Sequence, residues 1–517
     1  MDYTKFFRRR QFLLGPKPAE LPGWRATAVT SGIVVTSHPD LPVTQASHAG
    51  GSITLLGFLI DPDAPDRSEQ DTLEQLIKKA RTLANVAEGI NGLSGRFVLI
   101  VALPDALAVF HDAVALRQVN YCRDKQGRLW CASQPDALAD QLGFKFDTEV
   151  LDFKALPGFK GKTEFWLLHN RTPYREVLNL LPNHYLDLET GQAVRYWPTP
   201  GCIRQLTIKE SNDLCAPLLV NSIRAASHRF DLRMGVSAGI DSRKTLAATR
   251  SFSDKICYFS HGTTETTLDI SDVSVPARLL PKLGLKHHAL PLLPMPEDFK
   301  KLFDASCIWA REKKGKNAYT VLKNFGPDAT VLNSNISEVA QCIYWLPKSK
   351  LSGEGLALLC GLAHPFAIRE FDLWLQGAKP ACDAARMDVL ALFFLEQRMG
   401  RWATAAFSEY DIAHETFNPY NNRRLHCLML GVDKKYRRDR KWTVSLEHIK
   451  SMWPEVLAEP INPQDSPWAK FQQFVRRSVV HKAIPFWFPI YPYLRFVKRE
   501  RRFRKQQRAN PVAVKVG

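Results

Sequence analysis

The run Met234-Gly235-Val236-Ser237-Ala238-Gly239-Ile240-Asp241-Ser242-Arg243 is the stretch of this chain whose residue types and order could do chemistry. An apolar segment leads into a turn of small residues, and a helix-forming segment follows. A phosphate needs main-chain N–H donors that side chains leave open. Ser237, Ala238 and Gly239 leave that approach clear, and the positive end of the following helix favours an anion. Asp241 could hold the magnesium ion that accompanies pyrophosphate. Ser242 could cap the helix or touch phosphate. The same pattern also describes a plain strand–turn–helix junction with an Asp-Ser cap. Other candidates are weaker. His287 and His288 are adjacent, and neighbours on a strand point to opposite faces, so they read as structural rather than as a metal pair. The ten cysteines contain no C-x-x-C, which argues against a zinc ribbon or a thioredoxin motif and for reduced, half-buried thiols.

The elements that must position this loop divide at about residue 200. Residues 1 to 200 read mainly as β with turns. Ile53–Ile60, Gly95–Val101 and Leu107–His111 are strand candidates, Leu181–Asp187 with Gly191 is a hairpin, and Asp71–Ala87 has helical spacing. From about 205 helices and strands alternate: helix over 209–229, strand over 231–236, helix over 242–251, strand over 256–260, helix over 272–284 and strand over 330–333. Such alternation predicts a parallel sheet covered by helices on both faces. Residues 385–430 read as mostly helical. The fold class is therefore α/β.

The loop resembles the Ser-Gly-Gly-x-Asp-Ser pyrophosphate loop of asparagine synthetases and other N-type ATP pyrophosphatases, with Ala238 in place of the first glycine. The likeness extends from about 50 to 465. Gly95-Arg96-Phe97 and Asp112…Arg117…Tyr121 resemble the front domain of that family, a class II glutamine amidotransferase sandwich. Pro182–Leu186 looks like the hairpin before the synthetase domain. Asp272, Ala277 and Leu283–His288 resemble the helix and strand after the loop, and Phe417–Arg423 the Pro-Phe-x-Asp stretch. The resemblance implies a front domain over 1–200, an ATP-binding synthetase domain over 205–465 and a separate tail over 466–517. It implies a nucleotide-binding set of Val236, Ser237, Ala238, Gly239, Ile240, Asp241, Ser242, Arg243, Phe259 and Asn333. Asp241 and Glu338 would hold Mg2+, and Asp241, Glu338 and Lys435 would serve catalysis with ATP. The reaction implied is adenylation of a small-molecule or peptide carboxylate, followed by attack of an amine or ammonia.

Two departures shape the expectation. A class II glutaminase uses an N-terminal cysteine as nucleophile. This chain begins Met1-Asp2-Tyr3 and its first cysteine is Cys122, so the front domain is expected to lack glutaminase activity, as in β-lactam synthetase and lasso-peptide cyclases. The acidic loop of asparagine synthetases is matched here by Asn333-Ser334-Asn335-Ile336-Ser337-Glu338, where Ser334 and Ser337 replace carboxylates. Fewer acids hold metal less firmly, so a catalytically silent scaffold is the alternative. An RNA-modifying ATP pyrophosphatase is a further alternative.

Net charge is +18, yet Arg476 to Arg508 hold eleven Lys/Arg against Glu500 alone, more than half of the imbalance. A charge so confined argues against a general nucleic-acid binder. Aromatic residues from Phe486 to Phe496, followed by Lys498, Arg499, Arg501, Arg502, Arg504 and Lys505, suit an anionic membrane surface. No run approaches the roughly 18 apolar residues of a membrane span. A bacterial cytoplasmic protein, peripheral on the inner membrane through its tail, is the expected location.

Overall fold

The structure is a computed structural model that describes residues 2–156, 159, 165–264, 268, 270–439, 441–463 and 496–505. Its front half contains strands β1 (Phe12–Gly15), β2 (Arg25–Thr30), β3 (Ile33–Ser37), β4 (Val43–His48), β5 (Gly51–Ile60), β6 (Ser94–Leu103), β7 (Ala106–His111), β8 (Asn120–Arg123), β9 (Leu129–Ala132), β10 (Leu178–Asn179), β11 (His184–Asp187) and β12 (Ala193–Arg195). They form two six-stranded antiparallel sheets, in the orders β10-β8-β9-β1-β3-β2 and β12-β11-β7-β6-β5-β4. The strand β5 is buried along nearly its whole length because its sheet is covered on both faces. One face packs on Leu73, Leu76 and Ile77 of helix α1 (Glu69–Lys79), the other on Leu14, Val35 and Cys131 of the opposite sheet.

The expected single helix over 71–87 is two helices. The first ends at Ala80, and Thr82 starts a second at Leu83 with a reciprocal capping box to Asn85. Local hydrogen bonding at Thr82 wins over the continuous apolar spacing.

The second half begins with helix α2 (Ile208–Arg229). Then follow β13 (Asp231–Gly235), α3 (Ile240–Ala247), β14 (Cys257–His261), α4 (Ser271–Lys282), β15 (His287–Leu290), α5 (Glu312–Phe325) and β16 (Ala329–Leu332). Helices α6 (Gly353–Cys360), α7 (Pro365–Ala385) and α8 (Thr404–Tyr410) lead to β17 (Glu415–Phe417) and then α9 (Thr443–Met452). The five strands β13 to β17 make one wholly parallel sheet in the order β15-β14-β13-β16-β17. The α/β class with an antiparallel sandwich before a doubly wound parallel sheet is thus observed. The region 385–430, read as mostly helical, also contains β17.

The two halves meet along a buried polar seam. Arg96 is 1% exposed and donates to Asp411 Oδ2 at 2.7 Å and to Glu415 Oε1 at 2.8 Å. Arg117 donates to Glu415 Oε2 at 2.7 Å. Burial opposes charge on Glu415, but the guanidinium groups of Arg117, Arg96 and Arg10 hold its carboxyl well below the usual range. Asn421 Nδ2 donates to Gly95 O at 2.7 Å and to Asp112 Oδ1 at 2.8 Å, while Arg423 Nε donates to Asn183 Oδ1 at 3.0 Å. Gly57 must be glycine here: at φ +100° a Cβ would stand 2.3 Å from Arg96 O and 2.7 Å from Arg117 Nε. The first residues join the same seam, since Arg10 donates to Asp411 O at 2.7 Å, and Tyr3 and Phe6 pack among Phe299, Phe303 and Tyr319.

Residues 496–505 form a helix lying on α6. Phe496 and Phe503 are buried in the large apolar core that the two halves share, and Arg499 donates to Leu358 O at 3.0 Å and Leu359 O at 2.6 Å. These are carbonyls that the end of α6 leaves open. Lys498, Arg501, Arg502 and Lys505 remain exposed. Among the described residues no helix is long and apolar enough to cross a membrane. The aromatic run Phe486 to Tyr493 lies outside the described residues.

Candidate functional site

The order in which strands are added reverses at β13. The next two strands, β14 and β15, are added on one side, and β16 and β17 on the other. Loops leaving β13 and β16 at their carboxyl ends therefore part from each other and open a crevice, the place where open α/β sheets receive ligands. The loop after β13 is Val236 to Gly239, and the loop after β16 is Asn333 to Glu338.

Small side chains let the first loop close tightly before α3 starts at Ile240. Ser237 N donates to Ser242 Oγ at 3.1 Å, and Gly239 N donates to Ser237 Oγ at 3.1 Å. Ala238 N donates to Asp272 Oδ1, from the first turn of α4, at 3.1 Å. Ala238 is absent from the residues with positive φ, so its methyl group costs no backbone strain. Asn462 closes the loop from outside, its N–H donating to Ala238 O at 3.0 Å. Asp272 is a carboxylate sitting on a donor that a phosphate would use. Replacing Asp272 with alanine should therefore tighten MgATP binding at least fivefold, one like-charge repulsion at about 4 Å being worth roughly 1 kcal/mol in bulk water and more near a protein surface. Titration calorimetry would read this, and unchanged or weaker binding would contradict it.

Asp241 stands in the first turn of α3. Its Oδ1 accepts from Ser337 Oγ at 2.5 Å and Gln341 Nε2 at 3.3 Å, and lies 3.0 Å from Lys244 Nζ. Lys244, 1% exposed at its side chain, also donates to Ser337 O at 2.9 Å. Sequence reading missed Lys244. The signal was there: it is three residues after Asp241 and so shares its helix face. Glu338 is close enough to feel Asp241. Burial first and the charge of Asp241 second push its carboxyl up to about 7. Its Oε2 and Ser334 Oγ are buried without a hydrogen-bond partner. Ile336, a β-branched residue with φ +75°, holds this loop in the left-handed region, a strained conformation that clusters at functional sites.

Asp241 and Glu338 face each other beside the Lys244 ammonium, with Arg398 also acting on Glu338, and Glu338 has an oxygen without a donor. Asp241 and Glu338 therefore fit a hard divalent cation. Among the described residues no group of three or more His, Cys, Asp or Glu side chains could hold a metal, so water or phosphate would have to complete the shell.

Of the other expected site residues, Arg243 and Lys435 fall outside the crevice, while Phe259 and Asn333 border its loops. Arg243 is fully buried, and its guanidinium donates to Val456 O at 3.2 Å, Glu459 O at 2.5 Å and Pro460 O at 2.6 Å. It binds a neighbouring turn rather than a phosphate, because two residues of helix rotate it about 200° from Asp241. Lys435 is also misplaced as a catalytic cation: its side chain is 66% exposed, with Asp433 at 3.8 Å. Phe259 packs its ring in an apolar cluster with Leu290 and Val321, while its carbonyl accepts from Val236 N at 2.8 Å. Asn333 lies at the end of β16, its Oδ1 accepting from Asn335 N at 2.8 Å.

No family model matches this chain, and no curated protein matches it. Among solved structures it is similar to the glutamine phosphoribosylpyrophosphate amidotransferase from B. subtilis complexed with ADP and GMP. Identity there is 9%, over 60% of this chain and 90% of that chain, with a TM-score of 0.25. It is also similar to an allosteric regulatory enzyme of purine biosynthesis, at 11% identity over 63% of this chain and 84% of that chain, with a TM-score of 0.26. Likenesses this slight say nothing about what the chain does.

Proposed function

We propose that this chain is an ATP-dependent, AMP-forming carbon–nitrogen ligase of the asparagine synthetase kind, joining a carboxylate to an amine without a glutaminase of its own. The observation that supports it is the crevice where the small-residue loop, the start of α3 and the facing acids Asp241 and Glu338 converge. A carboxylate oxygen bonds to the α-phosphorus of ATP as the bond to the pyrophosphate oxygen breaks. An amine nitrogen then bonds to the acyl carbon, AMP departs, and the amine loses a proton to solvent. Main-chain donors at Ser237 to Gly239 and the positive end of α3 receive the phosphates. Asp241 and Glu338 would hold Mg2+, which neutralises charge on the leaving pyrophosphate. Lys244 fixes the Asp241 carboxylate in place at 3.0 Å.

A non-catalytic scaffold is the second reading, favoured by the Lys244 ammonium already on Asp241 and the Asp272 carboxylate already on Ala238 N–H. Pyrophosphate release from MgATP, across a panel of acids and amines, separates the two. Release with any pair supports the ligase. Heat of MgATP binding without release supports the scaffold, and no heat of binding removes the nucleotide reading altogether.

The proposal keeps a peripheral contact with the inner face of a bacterial membrane. Lys498, Arg501, Arg502 and Lys505 point outward from a helix whose apolar side is buried. A basic residue near an anionic bilayer contributes about 1 kcal/mol. Changing these four residues to glutamine should lower flotation with phosphatidylserine vesicles at least tenfold. Equal flotation of both proteins would remove the membrane from the proposal.

A further inference from the structure

The two halves flank a part-open cavity of about 90 Å³ away from the loop crevice, with Gln118, Asn120 and Gln134 from the front half on one side and Trp309 and Arg401 from the second half on the other. Trp166 closes one wall. We infer that this cavity binds a small carboxylic acid through the guanidinium of Arg401. The inference is independent of the nucleotide reading.

Arg401 uses Nε on Leu167 O at 3.1 Å and one terminal nitrogen on Arg171 O at 2.5 Å. Both acceptors are neutral carbonyls. Among the described residues no carboxylate opposes this cation, and burial alone pulls it down to about 9. The acid nearest in the lining, Glu409, is matched by Arg311, which donates to it at 2.7 Å and 3.0 Å. The cavity therefore carries one uncompensated positive charge. A half-buried cation without a counter-charge is costly, and an anion that enters lowers the cost. The planar fork of arginine fits the two oxygens of a carboxylate.

Size limits the acid. The cavity has about three-fifths of the roughly 150 Å³ that benzene fills, so it suits an acid of about four non-hydrogen atoms, with a fifth at its open mouth. Gln118 and Asn120 have their amide N–H groups on Ser408 Oγ at 3.0 Å and Ser133 O at 3.1 Å. Asn120 Oδ1 already accepts from Asn179 Nδ2 at 3.1 Å, so the Gln118 oxygen is what the pair offers a ligand, which matches an acid bearing a hydroxyl or amino group. The rings of Trp166 and Trp309 would cover its hydrocarbon part.

Thermal unfolding of the full chain in sodium acetate, glycolate, phosphate and chloride at matched ionic strength tests this. Acetate or glycolate should raise the midpoint by about 2–4 °C over chloride, as expected for a ligand that binds only the folded state. Arg401→Gln should abolish the difference. Where that variant does not fold, Ala405→Glu decides. It sets a permanent carboxylate one helical turn from Arg401, and should make the midpoint indifferent to acetate. The inference is overturned if acetate, glycolate and chloride act alike on the unaltered chain, if phosphate matches the carboxylates, or if the response survives either substitution.

Discussion

Glu338→Gln is expected to lower pyrophosphate release at least a hundredfold while leaving the unfolding midpoint unchanged or slightly raised, whereas Asp241→Asn loses both activity and stability. The contrast follows from what each carboxylate faces. Burial and the neighbouring Asp241 push Glu338 up to about 7, which favours its neutral form, and its Oε2 has no donor to lose. Glutamine therefore costs the fold nothing and removes one of two cation-holding charges. Loss of one group that stabilises developing charge typically costs about 10²–10³ in rate. Asp241 instead faces Lys244, a side chain only 1% exposed. Asparagine there leaves a buried ammonium without its counter-charge, at a cost of about 3–5 kcal/mol. Chemical denaturation beside a pyrophosphate assay reads both quantities. Undiminished release by Glu338→Gln would show that the acid pair does no chemistry.

The loop was legible because the chemistry of approach is local: small residues between a strand and a helix announce open N–H groups wherever they occur. Helix rotation is equally local. Counting from Asp241, position 243 turns away and position 244 turns back, so the sequence held both the exclusion of Arg243 and the choice of Lys244. The strand Glu415–Phe417 was not legible. Three residues between helices are too few for an alternating pattern, and they extend only because β16 offers them a parallel partner, Thr330 facing Glu415. The seam was hidden for a different reason. Gly95-Arg96-Phe97, Asp112, Asn183 and Asn421 resemble pieces of a catalytic family, but a residue pattern carries no mark of whether a polar side chain faces a ligand or another part of the same chain. In this structure Asn421 bonds Gly95 and Asp112, and Asn183 bonds the neighbouring Arg423. The resemblance in the front half thus reports how the halves are joined, while that in the second half bears on the crevice.

That seam carries the other large effect. Arg96→Met is expected to destabilise the protein by about 3–5 kcal/mol, because Asp411 would stay buried with its charge unanswered. Glu415 keeps Arg117 at 2.7 Å, so the loss should centre on Asp411. If so, adding Asp411→Leu to Arg96→Met should recover at least half of the loss, since two apolar side chains of similar size need no counter-charge. A chain of this length need not unfold in one step, so the form of the transition is informative as well as its midpoint. The seam fastens β6 of the sandwich to β17 of the parallel sheet. Breaking it should divide one cooperative denaturation curve into two, with the double substitution drawing them together again. A curve for Arg96→Met that overlays the unaltered protein would mean that apolar packing, Tyr3 and Phe6 against Phe299 and Tyr319 among it, joins the halves without help from the buried charges.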